Sequence, residues 1–197
     1  MTTAPTDPSA RAEQLRAGLA DYVKSWGTFR TPQVEAAFRT VPRHLFLPGV
    51  ALALAYGPKP VVTRRTAEGS SLSSASSPKL VATMLEQLAT QPGQRVLEIG
   101  TATGINAALL AELVGPTGTV ITLELDDDLA AGAAQNLDAA GYPQVRVICG
   151  DGAAGYPPEA PYDRMIITVG AWDMCAVRRP DVFLVQTGRN SEVHSWV

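Results

Sequence analysis

The sequence contains few of the residues that build metal sites and disulfide frameworks. Its 197 residues include two cysteines, Cys149 and Cys175, and two histidines, His44 and His194. Two thiols cannot form a disulfide framework or a four-thiolate zinc site, and both histidines lie far from them in the sequence. We therefore predict a protein without a structural metal.

Long apolar segments and clusters of positive charge are also lacking. The longest apolar run, 45–56, is interrupted by Pro48 and Gly49 and is too short to cross a bilayer. The first ten residues lack the apolar stretch of a signal peptide. Lys and Arg never occur more than twice in succession, so no surface for a nucleic-acid backbone is indicated. We expect a cytosolic protein that binds neither a membrane nor nucleic acid.

The first half of the chain carries three signals for the start of a helix. In each, a capping residue precedes a proline, and apolar residues follow at helical spacing; the three pairs are Asp7-Pro8, Thr31-Pro32 and Ser77-Pro78. Residues 42–78 are rich in Pro, Gly and Ser, a composition typical of a linker. This segment nevertheless runs directly into the third helix start.

From residue 96 onward, short apolar runs alternate with helical segments. The apolar runs are VLEI (96–99), TVITLEL (119–125), VRVIC (145–149) and RMIITV (164–169). Nearly continuous apolar strands separated by helices are typical of a doubly wound parallel sheet, so we predict a Rossmann-like α/β fold. Cys149 falls within one of these runs and is interpreted as a small core residue.

The glycine-containing segment after the first of these strands is a candidate binding site. In open α/β sheets the ligand lies outside the carboxyl ends of the strands. Gly100 permits a tight turn there, and Gly104 lets the next helix begin against the sheet with free N–H groups. The dinucleotide fingerprint requires a third glycine where Ile105 stands, so a dinucleotide is not indicated. A purely structural turn is the alternative interpretation.

Acidic residues follow the next two strands. Glu124 stands where a carboxylate can accept both hydroxyls of a ribose. Asp151 could accept a hydrogen bond from an exocyclic amine, although Asp-Gly is also an ordinary turn. Residues 126–128 are all aspartate, and we interpret them as helix capping residues. Together these strand ends predict an adenosine-type ligand without a pyrophosphate.

Several segments resemble the protein-L-isoaspartate O-methyltransferase family. They are AAFRTVPRHLFLP (36–48), VLEIGTATG (96–104), TVITLELDDD (119–128), ICGDGAAGY (148–156) and RMIITVGA (164–171). The resemblance covers residues 15–173 and implies a class I methyltransferase fold that uses S-adenosyl-L-methionine. It also implies a methyl-donor site formed by Glu98, Gly100, Thr101, Gly104, Glu124, Asp151 and Gly152.

The resemblance also implies a substrate loop ahead of Pro78. The family reads Thr-Ile-Ser-Gln-Pro there, and alignment on Pro78 places Ser76 at the family serine, which orients the substrate carboxylate. The alternative is that Ser77 is simply a helix cap and the serine cluster a flexible loop. Because Ser77 replaces the glutamine, the loop resembles variant members associated with tailoring of ribosomally made peptides. The implied partner is a protein or peptide carrying isoaspartate or aspartate. His44 is interpreted as a structural or surface residue.

These features divide the chain into four parts: a disordered tail (1–10), a helical and substrate-loop region (11–91), an S-adenosylmethionine-binding α/β domain (92–173) and an atypical tail (174–197). Beyond residue 173 only 181–187 resembles a strand, so we expect a truncated or frame-shifted end that leaves the fourth strand without neighbours. Two other functions stay open: methylation of RNA or a small molecule on the same fold, and an inactive nucleoside-binding remnant.

Overall fold

The computed structural model describes residues 7–169, 183–187 and 193–196. The helices are α1 (Pro8–Ser25), α2 (Pro32–Thr40), α3 (Leu52–Ala55), α4 (Pro78–Leu88), α5 (Ile105–Val114) and α6 (Asp127–Ala139). The strands are β1 (Val61–Arg65), β2 (Ser71–Ala75), β3 (Arg95–Ile99), β4 (Thr119–Glu124), β5 (Arg146–Cys149), β6 (Arg164–Ile167), β7 (Phe183–Thr187) and β8 (Val193–Trp196). Short 3-10 helices span Arg43–Phe46, Gly152–Ala154 and Pro157–Glu159.

The central sheet has the order β5-β4-β3-β6-β7-β8. All neighbouring strands in it are parallel except β7 and β8, which are antiparallel. Strands β3, β4 and β6 are almost completely buried, as expected for the centre of a parallel sheet covered by helices. The predicted parallel α/β architecture is therefore present in the structure.

Strand β5 lies at one edge of this sheet. Its last residue, Cys149, was predicted to be a small core residue, and this prediction is wrong. The Cys149 side chain is exposed rather than part of the core. Its Sγ donates to Asp127 Oδ1 at 2.7 Å, and this contact raises the pKa of the thiol. The prediction failed because an apolar run does not reveal whether its strand lies at the centre or at the edge of a sheet.

The strand predicted within 181–187 is β7, which pairs in parallel with β6. Arg164 lies opposite Phe183 in this register, and β3 pairs with the other side of β6. Strand β6 therefore has neighbours on both sides, and the expectation that it lacks them is wrong. The rest of the predicted atypical tail, apart from β8, lies outside the described residues.

All three predicted helix starts are confirmed by side-chain caps. Asp7 accepts from the backbone N–H of Ser9, Thr31 from that of Val34, and Ser77 from that of Leu80. Because α1 begins at Pro8, residues 8–10 form its first turn and are not part of a disordered tail. In the described part of the chain, no helix is both long and apolar enough to cross a membrane.

The N-terminal helices and the sheet share one apolar core. A single cluster of buried side chains contains Val23 of α1, Phe38 of α2, Leu85 of α4, Leu110 of α5 and Val96 of β3. Burial of such side chains is worth about 1.5–3 kcal/mol each. The packing therefore fixes the N-terminal helices against α4 and α5 on one face of the sheet.

The segment 42–78 is ordered, so its linker-like composition was misleading. It contains a 3-10 helix, α3 and an antiparallel hairpin in which Val61 pairs with Ala75. Buried Arg43 fixes its ends, since Nε donates to the Ala55 carbonyl at 2.8 Å and Nη2 to the Ser76 carbonyl at 3.1 Å. Burial lowers the pKa of Arg43 to about 10. Half-buried His44 pairs with the Tyr56 hydroxyl at 2.7 Å, which agrees with a structural role.

Candidate active site

A cavity of about 350 Å³ lies at the carboxyl ends of the central strands, between the Gly100 turn and the hairpin. This volume is within the range of small-molecule sites. The described residues that line it are Ser71–Ser76, Val81, Met84, Gly100–Thr103, Ile105, Asn106, Glu124, Leu129, Thr168 and Val169. The structure thus brings together four predicted residues that are far apart in sequence: Ser76, Gly100, Thr101 and Glu124.

Gly100 follows β3 in the cavity wall and lies close to Thr168 and Val169, which follow the neighbouring strand β6. Its φ is +100°, and an added Cβ would lie 2.4 Å from Val169 Cγ1 and 2.8 Å from Thr168 Oγ1. The Thr168 hydroxyl also donates to the Gly100 carbonyl at 2.6 Å. Only glycine satisfies both the backbone conformation and the space, so this wall consists of backbone atoms.

Glu124 is held at the cavity wall by backbone N–H groups. Its Oε2 accepts from the Ala102 N–H at 2.8 Å, and its Oε1 accepts from those of Leu125 at 3.0 Å and Asp126 at 3.3 Å. Ala102 has a φ of +49°, a left-handed conformation that costs a non-glycine residue about 1–2 kcal/mol. The surrounding contacts maintain this strained residue at the site and orient the carboxylate.

Glu98 lies behind the cavity rather than on its surface. It is fully buried, its Oε1 accepts from Asn106 Nδ2 at 2.7 Å, and its Oε2 accepts from Thr122 Oγ1 at 2.7 Å. The hydroxyls of Thr122 and Thr101 are also 2.7 Å apart. Burial is the main cause that raises the pKa of Glu98 to about 7. Glu98 therefore reaches the cavity through Asn106 and Thr101, both of which line it.

Three other predicted residues lie outside the lining of this cavity. Gly104 is the N-cap residue of α5, which begins at Ile105. A Cβ on Gly104 would lie 3.1 Å from Leu137, whereas one on Gly152 would lie 2.4 Å from Ile99. Asp151 accepts from the Ala153 N–H at 2.9 Å and caps a 3-10 helix. The structure shows packing and capping at these positions, and their contact with a ligand stays a prediction.

The sequence left open whether the serines before Pro78 belong to a substrate site or only cap a helix. The structure shows one serine in each position. Ser77 caps α4, whereas the preceding Ser76 lines the cavity. The serines before them are not a flexible loop, because strand β2 pairs with β1. Ser76 is thus placed between a paired strand and a helix, with its carbonyl held by Arg43.

Sequence reasoning missed several residues that line the cavity. Thr168 and Val169 directly follow β6, so the rule that identified Glu124 at the end of β4 could have found them. Asn106 stands in the first turn of α5 and gave no signal beyond being polar in an apolar helix. Among the described residues, no group of three or more His, Cys, Asp or Glu side chains is arranged to hold a metal ion.

Comparison with known proteins identifies relatives of this chain. The protein-L-isoaspartate O-methyltransferase of Methanopyrus kandleri is 44% identical over 162 residues, 82% of this chain and 69% of the relative. A solved protein-L-isoaspartate O-methyltransferase superposes with a TM-score of 0.80 at 28% identity, over 91% of this chain and 58% of its own. The chain thus spans less than two thirds of that solved relative.

A second solved structure shows the fold over most of both chains. It is a candidate protein-L-isoaspartate O-methyltransferase from Plasmodium falciparum in complex with S-adenosyl-L-homocysteine, with a TM-score of 0.75 at 16% identity, covering 91% of this chain and 88% of that one. The predicted class I methyltransferase fold is confirmed. The sequence profile of the family described as Protein-L-isoaspartate(D-aspartate) O-methyltransferase matches residues 14–177. This chain therefore belongs to the protein-L-isoaspartate(D-aspartate) O-methyltransferase family.

Proposed function

We propose that this protein transfers the methyl group of S-adenosyl-L-methionine to a carboxylate of an isoaspartyl or aspartyl residue in a protein or peptide. The observation that carries the proposal is the placement of Ser76, Gly100 and Glu124 on the walls of one cavity. Family membership supports the same chemistry. We further propose that this reaction takes place in the cytoplasm.

The residues of the cavity fit the methyl donor. Glu124 offers carboxylate oxygens suited to ribose hydroxyls, and the Gly100 turn lets a ligand approach the backbone closely. The first turn of α5 has no side-chain cap and contributes Ile105 and Asn106 to the lining, and a helix N-terminus favours a carboxylate. When bound, S-adenosyl-L-methionine supplies a methyl group on a positively charged sulfur.

The acceptor carboxylate of the substrate has to be oriented, and it needs no base to activate it. A carboxylate is ionised at neutral pH, so its oxygen can form the new bond to carbon while the carbon–sulfur bond breaks and its electrons pass to sulfur. Glu124 is the one ionisable side chain among the described residues that line the cavity. The chain therefore contributes in-line positioning and exclusion of water, and Ser76 donates a hydrogen bond that orients the carboxylate.

The proposed acceptor is tested by methyl transfer to three matched peptides. They carry isoaspartate, aspartate or asparagine at one position, and transfer is measured as a base-labile methyl ester. We expect esters on one or both of the carboxylate peptides and none on the asparagine peptide. A preference for isoaspartate would indicate repair, and one for aspartate would indicate peptide tailoring. Absence of transfer to both carboxylates, by protein that binds S-adenosyl-L-homocysteine, would contradict the proposal.

Ser76→Ala is expected to lower kcat without weakening binding of the donor. A hydrogen bond to a charged group is worth about 1.5–3 kcal/mol, which corresponds to roughly a 10- to 100-fold loss in kcat. The matched control is Ser77→Ala, which removes the α4 cap and should lower the unfolding free energy by about 1 kcal/mol while kcat is retained. Full activity of Ser76→Ala in the steady-state assay would refute the role of this hydroxyl.

A further inference from the structure

An ion pair joins the hairpin to the segment that forms another wall of the cavity. Arg64 of β1 donates through Nη1 to Asp126 Oδ2 at 2.5 Å, and its Nη2 lies 3.9 Å from Asp128 Oδ2. Asp126 lies between Glu124 and Leu129, both of which line the cavity. The guanidinium holds the pKa of Asp126 below its usual range. The contact thus connects two walls that are 62 residues apart in sequence.

The hairpin lies between two pockets whose linings have residues in common. Strand β2 lines the 350 Å³ cavity, whereas Val62 and Thr63 of β1 line a second pocket of about 250 Å³. Ala102, Thr103 and Leu129 belong to both linings. The Thr103 hydroxyl is buried and has no hydrogen-bond partner. If the hairpin moved away from these shared residues, the two pockets would merge into one open cleft.

The hairpin packs against other elements at its base, and Arg64 connects it to Asp126 farther along β1. At the base, Val61 and Ala75 pack with Leu47 and Ala55. In the described part of the chain, β1 and β2 pair only with each other. The polar side-chain contacts that connect β1 to other described elements are those of Arg64, since Thr63 and Arg65 bond within the hairpin.

We infer that Arg64 is a positioning residue whose ion pair with Asp126 holds the hairpin closed over the cavity and so controls entry and release of the methyl donor. This inference rests on the proposed function, because it takes the cavity as the donor site. Ser76 follows the fixed base of the hairpin, and Arg43 holds its carbonyl, so opening would move Ser71–Ser74 and leave Ser76 in place. Arg64 acts through the hairpin and is not part of the lining.

The test measures the dissociation rate of S-adenosyl-L-homocysteine by stopped-flow fluorescence. Because the pair is partly exposed, we expect Arg64→Gln to raise this rate by about 2- to 5-fold. Asp126→Asn keeps a capping side chain on α6 and should have the same effect. The double variant should be no faster than either single variant. Added salt should accelerate release from the wild type and leave Arg64→Gln unchanged.

Two further variants separate the ion pair from general effects of charge. Arg65→Gln removes the same charge from the same strand, but Arg65 bonds only to the Gly69 carbonyl inside the hairpin, so the wild-type rate is expected. Arg64→Lys keeps the charge and should restore most of the slow release. Equal rates in the wild type, Arg64→Gln and Asp126→Asn, or additive effects in the double variant, would overturn the inference.

Amide hydrogen exchange gives a readout that needs no ligand. In Arg64→Gln, exchange in residues 61–75 should accelerate, whereas β3 and β4 should stay as in the wild type. Arg65→Gln should leave the hairpin unchanged. If the wild type fails to bind S-adenosyl-L-homocysteine, the proposed function fails, and exchange still decides whether Arg64 holds the hairpin. Unchanged exchange in Arg64→Gln would refute that role.

Discussion

Gly100→Ala is expected to weaken binding of the methyl donor by up to about 100-fold in a protein that still folds. The new Cβ would lie 2.4 Å from Val169 Cγ1 and 2.8 Å from Thr168 Oγ1, so either the Gly100 turn or the residues that follow β6 must move. Both belong to the cavity. Overpacking of this kind costs about 1–3 kcal/mol, and about 3 kcal/mol corresponds to a 100-fold loss of affinity. Calorimetric titration with S-adenosyl-L-homocysteine measures the change.

Gly141→Ala is the matched control for this variant. Gly141 has a φ of +88°, similar to that of Gly100, but nothing lies within 4 Å of an added Cβ. It therefore introduces the same kind of backbone strain, about 1–2 kcal/mol, without a clash at the cavity. We expect lower stability and wild-type affinity. Wild-type affinity in Gly100→Ala, or equal loss of affinity in both variants, would show that the Gly100 turn does not form the donor site.

The unfolding free energy of the protein is expected to fall as the pH rises, because of the buried carboxyl of Glu98. Burial raises the pKa of Glu98 from 4.5 to about 7 in the folded protein. Between these values the folded state holds a proton that the unfolded state has lost, so stability falls as the pH rises through this window. The contribution of neutral Glu98 is fully present below pH 4.5 and lost above pH 7. The difference amounts to about 3 kcal/mol.

Glu98→Gln is expected to remove this dependence. Its amide can still accept from Asn106 and can donate to Thr122, whose hydroxyl is free to rotate. Urea denaturation at pH 5 and pH 8 should show a loss of stability in the wild type that exceeds the loss in Glu98→Gln by about 2.5 kcal/mol.

Glu68→Gln is the control for the pH experiment. Glu68 is exposed, and its contact with Thr66 holds its pKa below the usual range. The tested window lies above that pKa in both the folded and the unfolded state, so this variant should keep the wild-type pH dependence. Identical pH dependence in the wild type and in Glu98→Gln would contradict the raised pKa of the buried carboxyl.

Local signals in the sequence predicted the helix starts, the parallel strands and much of the cavity. The capping pairs at Asp7, Thr31 and Ser77 depend on neighbouring residues only and were confirmed. Gly100 and Glu124 were found because the carboxyl ends of parallel strands meet at one edge. Exposure of Cys149 could not be predicted in this way, because it depends on which strand lies at the sheet edge.

The position of Glu98 could have been predicted more precisely. Side chains alternate between the two faces of a strand, so Glu98 shares a face with Val96 and not with Leu97 and Ile99. Val96 packs in the core that contains α5, and Glu98 accordingly contacts Asn106 of that helix. The hairpin was harder to predict, because its serine-rich strand lacks an apolar pattern and is held by pairing with β1 and by Arg43.

Assignment of the cavity to the methyl donor is tested most directly by hydrogen exchange of the wild-type protein during titration with S-adenosyl-L-homocysteine. We expect saturable binding of one ligand per chain, with protection concentrated in residues 71–76 and 100–106, the two segments that contribute most of the cavity lining. Absence of binding by folded protein, or protection confined to other segments, would contradict the assignment of this cavity to the methyl donor.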